Sequence, residues 1–214
     1  MRKIFIIILS LIIVLIVSVY ILTIYNRTPP ESFPYNKEVT DFRLVDQNGS
    51  TINLSDFKGK VIVLTFIYTH CPDICPVITS HLVAAYNRLV QMGLKDQVAF
   101  VFVSVDPYGD NVTAMKNYSE RFNASSLYFL TNNTAGLSTG SYSNLTNLQS
   151  VWNSYDVYVN INRTSTEEGW YEVDHTTVTY IIDKNFRIRE ALFGVPPLWS
   201  TDDVVHYVSI LAKS

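Results

Sequence analysis

The apolar positions of the chain begin with one uninterrupted run near the N-terminus. Residues 4–24 contain no charged side chain, and only Ser10, Ser18 and Thr23 are polar. At 1.5 Å per residue, a helix of this length spans the roughly 30 Å hydrocarbon core of a bilayer. Basic side chains precede the run, so the positive-inside rule places the N-terminus in the cytoplasm and the rest of the chain outside. The pattern predicts a single-pass transmembrane anchor.

A cleaved signal peptide is the main alternative to this anchor. Its apolar segment typically has about 7–15 residues and ends at small side chains, whereas this run is longer and ends in Ile-Leu-Thr-Ile-Tyr. A buried core helix is a third alternative, although the extreme N-terminus is an unusual place for one. The following segment contains three prolines among polar residues, which is typical of an extended stalk. We therefore divide the chain into an anchor (1–24), a stalk (25–39) and a domain (40–214).

Within the domain, short apolar runs alternate with segments of helical periodicity. A hairpin around Asn48-Gly49 is predicted over 41–57, and strands or helices follow to the C-terminus. The predicted strands cover 61–68, 97–105, 127–130, 177–182 and 186–193, and the predicted helices cover 76–93, 111–122, 145–155 and 202–212. We expect two insertions, a polar loop over 131–143 and a stretch over 162–170. This order predicts an α/β fold, a three-layer sandwich with a mixed sheet, preceded by one transmembrane helix.

Composition narrows the class of protein. The 214 residues are 48% hydrophobic and 16% charged, with a net charge of −3. These values exclude a disordered chain and give no electrostatic basis for binding nucleic acid. Two cysteines are too few for a disulfide scaffold or for a four-cysteine zinc site.

Asparagine usage offers a separate indication of topology. Nine Asn-X-Ser/Thr acceptors occur, where the composition would give about three by chance. The excess predicts a glycosylated outer surface; the alternative is a polar surface that happens to be rich in these residues. The candidate sites are Asn26, Asn48, Asn53, Asn111, Asn117, Asn123, Asn132, Asn144 and Asn162.

Cys71 and Cys75 are the chemically distinctive pair, in Thr-His-Cys-Pro-Asp-Ile-Cys-Pro between the first long strand and its helix. Residues four apart on a helix lie on one face, about 6 Å apart at Cα, which is within disulfide range. The pair can therefore close as a disulfide or hold a soft metal ion, and a helix N-terminus favours thiolates. A purely stiffening disulfide is the alternative, but such a short loop gains little stability from closure.

Two thiolates and an imidazole would suit copper, because soft thiolates select Cu(I). Four histidines are candidates for the imidazole ligand: His70, His81, His175 and His206. His175 stands directly before a predicted strand, at a position that can face the first strand–helix junction. Spacing alone leaves this choice open.

The segment Phe-Ile-Tyr-Thr-His-Cys-Pro-Asp-Ile-Cys-Pro (66–76) resembles the signature of the SCO/SenC family, the copper-binding assembly factors of cytochrome c oxidase. Three further segments are similar to that family: Leu-Ser-Asp-Phe-Lys-Gly-Lys (54–60), Val-Ser-Val-Asp-Pro (103–107) and Val-Asp-His-Thr-Thr (173–177). The resemblance covers about residues 38–213. Ile67 departs from it, since the family more often has glycine there, and the sequons and the loop at 131–143 are not family features.

The resemblance implies a thioredoxin-like fold and one copper ion held by Cys71, Cys75 and His175, with the cysteines forming a redox disulfide. Asp73, Asp106 and Asp174 lie in matching motifs. We expect them to support the site or the structure around it, because a hard carboxylate is a poor Cu(I) ligand.

The resulting hypothesis is a membrane-anchored copper metallochaperone, with its domain outside the cytoplasm, that delivers copper to the copper-binding subunit of a terminal oxidase. Further partners would be another copper chaperone or a thiol reductant, and nucleic acid is not expected. The alternative is an enzyme, a thiol–disulfide oxidoreductase that reduces the cysteines of that subunit. The Cys-X3-Cys spacing and the absence of a proline before the 177–182 strand favour metal binding over general thiol reduction.

Overall fold

The computed structural model describes residues 9–19, 34–132, 142–162 and 171–214. The chain divides into two units, Met1–Ser32 and Phe33–Ser214. In the first unit, residues 9–19 form helix α1. Among the described residues, no helix is both long and apolar enough to cross a bilayer. The predicted span over 4–24 lies partly outside the described residues, as do Asn26 and most of the stalk, so the anchor stays a prediction.

The second unit holds all remaining helices and strands. Its strands are β1 (Lys37–Glu38), β2 (Arg43–Val45), β3 (Thr51–Asn53), β4 (Val61–Ile67), β5 (Val98–Ser104), β6 (Tyr128–Leu130), β7 (Val159–Asn162), β8 (Glu172–His175), β9 (Val178–Ile182) and β10 (Arg187–Phe193). Its α-helices are α2 (Ile74–Gln91), α3 (Val112–Arg121), α4 (Tyr142–Ser154) and α5 (Thr201–Lys213), and short 3-10 helices cover Leu54–Phe57 and Lys95–Gln97.

Six strands form one mixed sheet in the order β1-β10-β9-β4-β5-β6. The β4, β5 and β6 strands run parallel, β9 is antiparallel to β4, and β10 is antiparallel to β9. All seven residues of β4 and of β5 are buried, as expected of parallel strands covered on both faces. The predicted α/β fold with a mixed sheet is confirmed.

Helices and a hairpin cover the two faces of this sheet. On one face, α2 contacts α3 through the Thr79 and Tyr118 hydroxyls (3.1 Å) and contacts α5 through His81 and Thr201. On the other face, Tyr155, directly after α4, packs its ring against Phe66 of β4 and against Phe42 beside the β2–β3 hairpin. The three predicted layers are therefore present in the described part of the chain.

Two pairings extend the fold beyond the predicted elements. Lys37 and Glu38, assigned to the stalk by composition, pair with β10 at the edge of the sheet. The β7 and β8 strands form a separate antiparallel hairpin in which Val159 faces His175. Most of the predicted loop over 131–143 and of the insertion over 162–170 lies outside the described residues.

The topology brings three chain segments to one end of the sheet. The parallel strands β4 and β5 both end there, and β9 begins there because it is antiparallel to β4. Cys71 follows the end of β4, and His175 ends β8 three residues before β9 begins. Loops beyond the carboxyl ends of parallel strands are the usual place for a ligand site in an α/β sheet.

Candidate metal centre

The two cysteines carry free thiols and lie at the junction of β4 and α2. Cys75 is fully buried in the first turn of α2, and Cys71 is half-buried in the loop before it. The backbone N–H of Cys75 donates a hydrogen bond to the Cys71 Sγ atom over 3.3 Å. The Cys71 N–H in turn donates to the Tyr68 carbonyl, which fixes the loop against the end of the strand.

These contacts separate the acidities of the two thiols. A hydrogen bond from the Cys75 thiol, together with backbone N–H groups of residues 73–75, lowers the pKa of Cys71 to about 5 against the opposing effect of burial. The same hydrogen bond, donated by Cys75, and its burial raise the pKa of Cys75. At neutral pH the reduced pair therefore consists of a half-buried thiolate, Cys71, and a fully buried thiol, Cys75.

His175 presents a neutral imidazole with one nitrogen left for a ligand. Its Nδ1 atom lies 3.0 Å from the Thr176 carbonyl oxygen, which can only accept, so Nδ1 carries the proton and Nε2 carries a lone pair. Burial lowers the pKa of His175, opposed by that hydrogen bond and by the charge of Cys71. Such a fixed tautomer is common in histidines that bind metal ions.

Tyr68 connects the cysteine loop to His175, and the sequence analysis did not single it out. Its ring meets the His175 ring edge-on, with 6.2 Å between centroids and an interplanar angle of 82°. The side chain is largely buried, and burial, followed by the charge of Cys71 and a hydrogen bond to it, raises the pKa of the phenol. The only available signal was its place in the motif that carries Cys71.

The three predicted acidic residues have different surroundings. Asp106 is fully buried and accepts hydrogen bonds from the N–H groups of residues 108 and 109 and from the Tyr171 hydroxyl (2.6 and 2.7 Å). It thereby ties the loop after β5 to the residue before β8. Asp73 and Asp174 are exposed. Asp73 sits at the N-cap of α2 without a side-chain capping bond, and its backbone N–H helps to lower the pKa of Cys71.

Asp110 braces the cysteine loop and was missed by sequence analysis. Its fully buried carboxylate accepts from the Thr69 N–H (2.9 Å), the Thr69 hydroxyl (2.7 Å) and the Ser104 hydroxyl (2.7 Å). Burial and the nearby charge of Asp106 raise the pKa of Asp110 to about 7. Its only sequence signal was the short, turn-rich segment after β5.

A second group of potential ligands surrounds this brace. Ligand atoms of His70, Asp106 and Asp110 lie within 4.8 Å of one another. Both carboxylates already accept several hydrogen bonds from neighbouring residues, which accounts for the cluster as a structural network. Its oxygen-rich ligands would also suit hard cations, unlike the sulfur atoms of the cysteine pair.

The other histidines are placed away from the thiols or held by other partners. His81 pairs its Nδ1 atom with the Thr201 hydroxyl and packs on Trp199 (6.1 Å between centroids). His206 lies on α5 and contacts Tyr207. The charge of Cys71 acts on the His175 imidazole, so the predicted ligands lie near one another. Within the described part of the chain, however, the ligand atoms of Cys71, Cys75 and His175 do not all come within 4.8 Å of one another. Two sulfur atoms and an imidazole nitrogen are the donor types that Cu(I) prefers.

The fold and the cysteine pair together define a class: a thioredoxin-like domain with two thiols at the end of its sheet where β4 and β5 finish. The SCO1/SenC family model matches residues 31–196, and this chain therefore belongs to the SCO1/SenC family. Human "Protein SCO2 homolog, mitochondrial" is 33% identical over 143 residues, which is 67% of this chain and 49% of that protein. The chain thus matches about half the length of this relative.

Solved structures of Sco proteins share the fold. Copper-bound ScoI of Bradyrhizobium japonicum has a TM-score of 0.65 and 28% identity, and the match covers 81% of this chain and 99% of ScoI. BsSco, a member of the Sco family of cytochrome c oxidase assembly proteins in which a disulfide switch was identified, has a TM-score of 0.62 and 23% identity. That match covers 85% of this chain and 97% of BsSco. At that identity, the second likeness establishes the fold alone.

Proposed function

We propose that this chain is a copper metallochaperone that binds one copper ion through Cys71, Cys75 and His175. The observation that carries the proposal is the Cys71–Cys75 pair, a low-pKa thiolate hydrogen-bonded by the Cys75 backbone N–H, with His175 close enough for the charge of Cys71 to act on its imidazole. Copper is the cargo here. A three-ligand site leaves room for an incoming ligand before an outgoing one departs, which allows transfer by ligand exchange.

The recipient in this proposal is the copper-binding subunit of a terminal oxidase, as the family membership suggests. The redox state of the cysteines would control loading, because only the reduced pair offers sulfur ligands to copper. An external oxidant, such as a disulfide that is itself reduced to two thiols, would accept two electrons from Cys71 and Cys75, join them as a disulfide and release the ion. A thiol reductant would then restore the two thiols, and another copper chaperone would reload the site with copper.

We also propose that residues 4–24 anchor the chain in a membrane, with the second unit outside the cytoplasm. The uncharged run and the preceding Arg2 and Lys3 support this topology. Protease digestion of sealed right-side-out vesicles tests it: we expect loss of the domain and retention of a short N-terminal fragment. Full protection of the domain would contradict the topology.

Copper titration of the reduced full-length chain in neutral detergent micelles tests the copper proposal. We expect one tightly bound copper ion, and at least tenfold weaker binding in each of Cys71→Ser, Cys75→Ser and His175→Ala. His206→Ala serves as the control and should bind copper as the unsubstituted chain does. Copper binding that is unchanged by all three ligand substitutions would refute the proposed site.

A thiol–disulfide oxidoreductase is the second candidate, favoured by the low pKa of Cys71 beside the buried Cys75 thiol. In that reaction the Cys71 thiolate attacks a target disulfide and releases one target thiolate. Cys75 then attacks the mixed disulfide, releasing the second target thiol, while the chain becomes oxidised to the Cys71–Cys75 disulfide. His175→Ala separates the candidates: thiol reduction should survive this substitution, and copper binding should not.

A further inference from the structure

The charged residues at the two ends of the sheet differ in sign. The segments 68–77, 104–111, 171–178 and 193–200 meet at the end that carries the candidate centre, and they contain no lysine or arginine. Their acidic residues are Asp73, Asp106, Asp110, Glu172 and Asp174. Three of these, Asp73, Glu172 and Asp174, are exposed.

The opposite end of the sheet carries the cationic residues. It is formed by the start of β4, the start of β5, the β9–β10 turn and the end of α5, and the Gly59 N–H donates to the Lys184 carbonyl there. Its cations are Lys58, Lys60, Lys95, Lys184, Arg187 and Lys213, against the anions Asp56, Asp96 and Asp183. The domain therefore presents a negative field at the candidate centre and a positive one at the far end.

Four large apolar side chains are exposed near the candidate centre. Ile74, Val77, Phe193 and Leu198 expose 43%, 43%, 55% and 75% of their surface. Ile74 lies between the two cysteines in the sequence and begins α2, and Val77 follows it in the next turn. Scattered exposed apolar residues are common on soluble proteins, so their position around one site is what requires an explanation.

The structure places these side chains at the same end of the sheet. Val77 is one turn before His81 on the same side of α2, and the His81 ring packs on Trp199, the residue after Leu198. In that loop, a Cβ atom at Gly194 would lie 2.6 Å from the Leu198 Cδ1 atom, which shows how closely Leu198 packs on the chain next to Phe193. The Gly194 N–H donates to the Thr177 carbonyl (2.9 Å), two residues after His175.

We infer that the copper recipient docks on this end of the sheet. The docking surface, which we call the acidic-apolar surface, consists of Ile74, Val77, Glu172, Phe193 and Leu198. The inference rests on the proposed copper function. Its occupant is a protein domain with basic side chains around an apolar centre that presents a cysteine or histidine ligand. Ligand exchange brings the recipient's ligand to bonding distance of the copper, so the recipient must cover these side chains. The acidic residues attract a basic domain and repel an anionic membrane surface.

Stopped-flow copper transfer tests the inference. The copper-loaded, reduced full-length chain in neutral micelles is mixed with the soluble copper-binding domain of the oxidase subunit from the same genome. We expect the second-order transfer rate to fall about tenfold between 20 and 500 mM NaCl. Glu172→Gln should lower the rate two- to threefold at low salt only, and Leu198→Ala should lower it about three- to tenfold at both salt concentrations.

Matched controls lie away from this surface. Glu120→Gln on α3 and Ile210→Ala on α5 also change exposed residues, and both should transfer copper at the unsubstituted rate. Copper affinity, measured by competition with a small Cu(I) chelator, should be equal in all four variants. A reduced rate in Leu198→Ala with an unchanged copper affinity would therefore report docking and not copper binding.

Three results would overturn the inference. Equal transfer rates in Glu172→Gln, Leu198→Ala and the unsubstituted chain, with copper binding intact, would reject the docking surface while the copper function stands. Self-association of the chain that Leu198→Ala abolishes, seen by analytical ultracentrifugation, would assign the apolar side chains to a second copy. A chain that binds no copper at all would reject the proposed function, and the docking surface with it.

Discussion

The backbone N–H of Cys75 donates to the Cys71 Sγ atom over 3.3 Å, so the first turn of α2 fixes the position of the Cys71 sulfur relative to Cys75. The Cys75 thiol lies on the buried side and donates toward Cys71, whose sulfur carries the charge. A helix N-terminus stabilises a thiolate through its unpaired N–H groups. This difference between the two cysteines underlies both the proposed copper binding and the proposed thiol exchange.

The first prediction concerns thiol reactivity in the reduced, copper-free chain. The rate of iodoacetamide alkylation at Cys71 should rise with pH around a pKa of about 5 and stay level above pH 7, because the thiolate is the reactive form. Cys75 should remain unmodified over this range because its pKa is raised. Peptide mass spectrometry after timed quenching measures both sites. A Cys71 rate that still increases above pH 8 would contradict the assigned acidities.

Tyr68→Phe tests the role of the tyrosine hydroxyl. Because the Tyr68 hydroxyl interacts electrostatically with the Cys71 thiolate, its removal should raise the pKa of Cys71 by about one unit. It should also shift the reduction potential of the cysteine pair to a more negative value, since the reduced form loses stabilisation. Thiolate absorbance against pH and a glutathione redox titration measure the two effects. Tyr158→Phe, at an exposed tyrosine, is the control; identical behaviour of both variants would refute the role.

Asp110 should make folding stability depend on pH. Its pKa is raised to about 7 in the folded state by burial and Asp106, above its ordinary value of 3.8. The folded chain therefore binds a proton between these pH values that the unfolded chain lacks, so the free energy of unfolding falls as pH rises from 4 to 7. The expected loss from this group is about 2–4 kcal/mol.

Asp110→Asn provides the comparison for this pH effect. The amide keeps the shape of the carboxyl group and can still accept from Thr69, so the fold should be retained. Urea unfolding at several pH values should show a flatter profile for the variant than for the unsubstituted chain. A profile equally steep in both proteins would assign the pH dependence to other groups.

The sequence predicted more of the fold than of the candidate metal centre. The buried runs at 61–68 and 97–105 predicted β4 and β5, because continuous apolar strands and intervening helical periodicity leave few alternatives. The β7–β8 hairpin was missed, since Val159–Asn162 has only half-buried alternation and its partner strand contains charged residues. Four residues with such a pattern carry little signal without the contact that pairs them.

Within the centre, sequence motifs singled out the cysteines and the supporting residue Asp106, but not Asp110 or Tyr68. Asp110 and Tyr68 act through contacts with residues distant in sequence, Thr69 for the first and His175 for the second. Spacing along the chain cannot reveal such contacts. Likewise, the hydrogen bond that fixes the tautomer of His175 depends on the backbone direction at Thr176.

Glycosylation of the second unit stays a prediction that intact mass can test. Asn48, Asn117, Asn123 and Asn162 are exposed in the structure and lie within sequons, so an oligosaccharide could reach each of them. We expect the native chain to be heavier than its polypeptide mass and to lose the excess on treatment with an endoglycosidase. A native mass equal to that of the bare polypeptide would contradict the prediction.

X-ray absorption spectroscopy of the copper-loaded, reduced full-length chain counts the sulfur and nitrogen ligands of the bound ion and so tests the proposed copper site itself. We expect two sulfur ligands and one nitrogen ligand, with the nitrogen lost or replaced in His175→Ala and one sulfur lost in either Cys71→Ser or Cys75→Ser. A copper ion bound by nitrogen and oxygen alone, or an unchanged ligand set in all three variants, would contradict the proposed site.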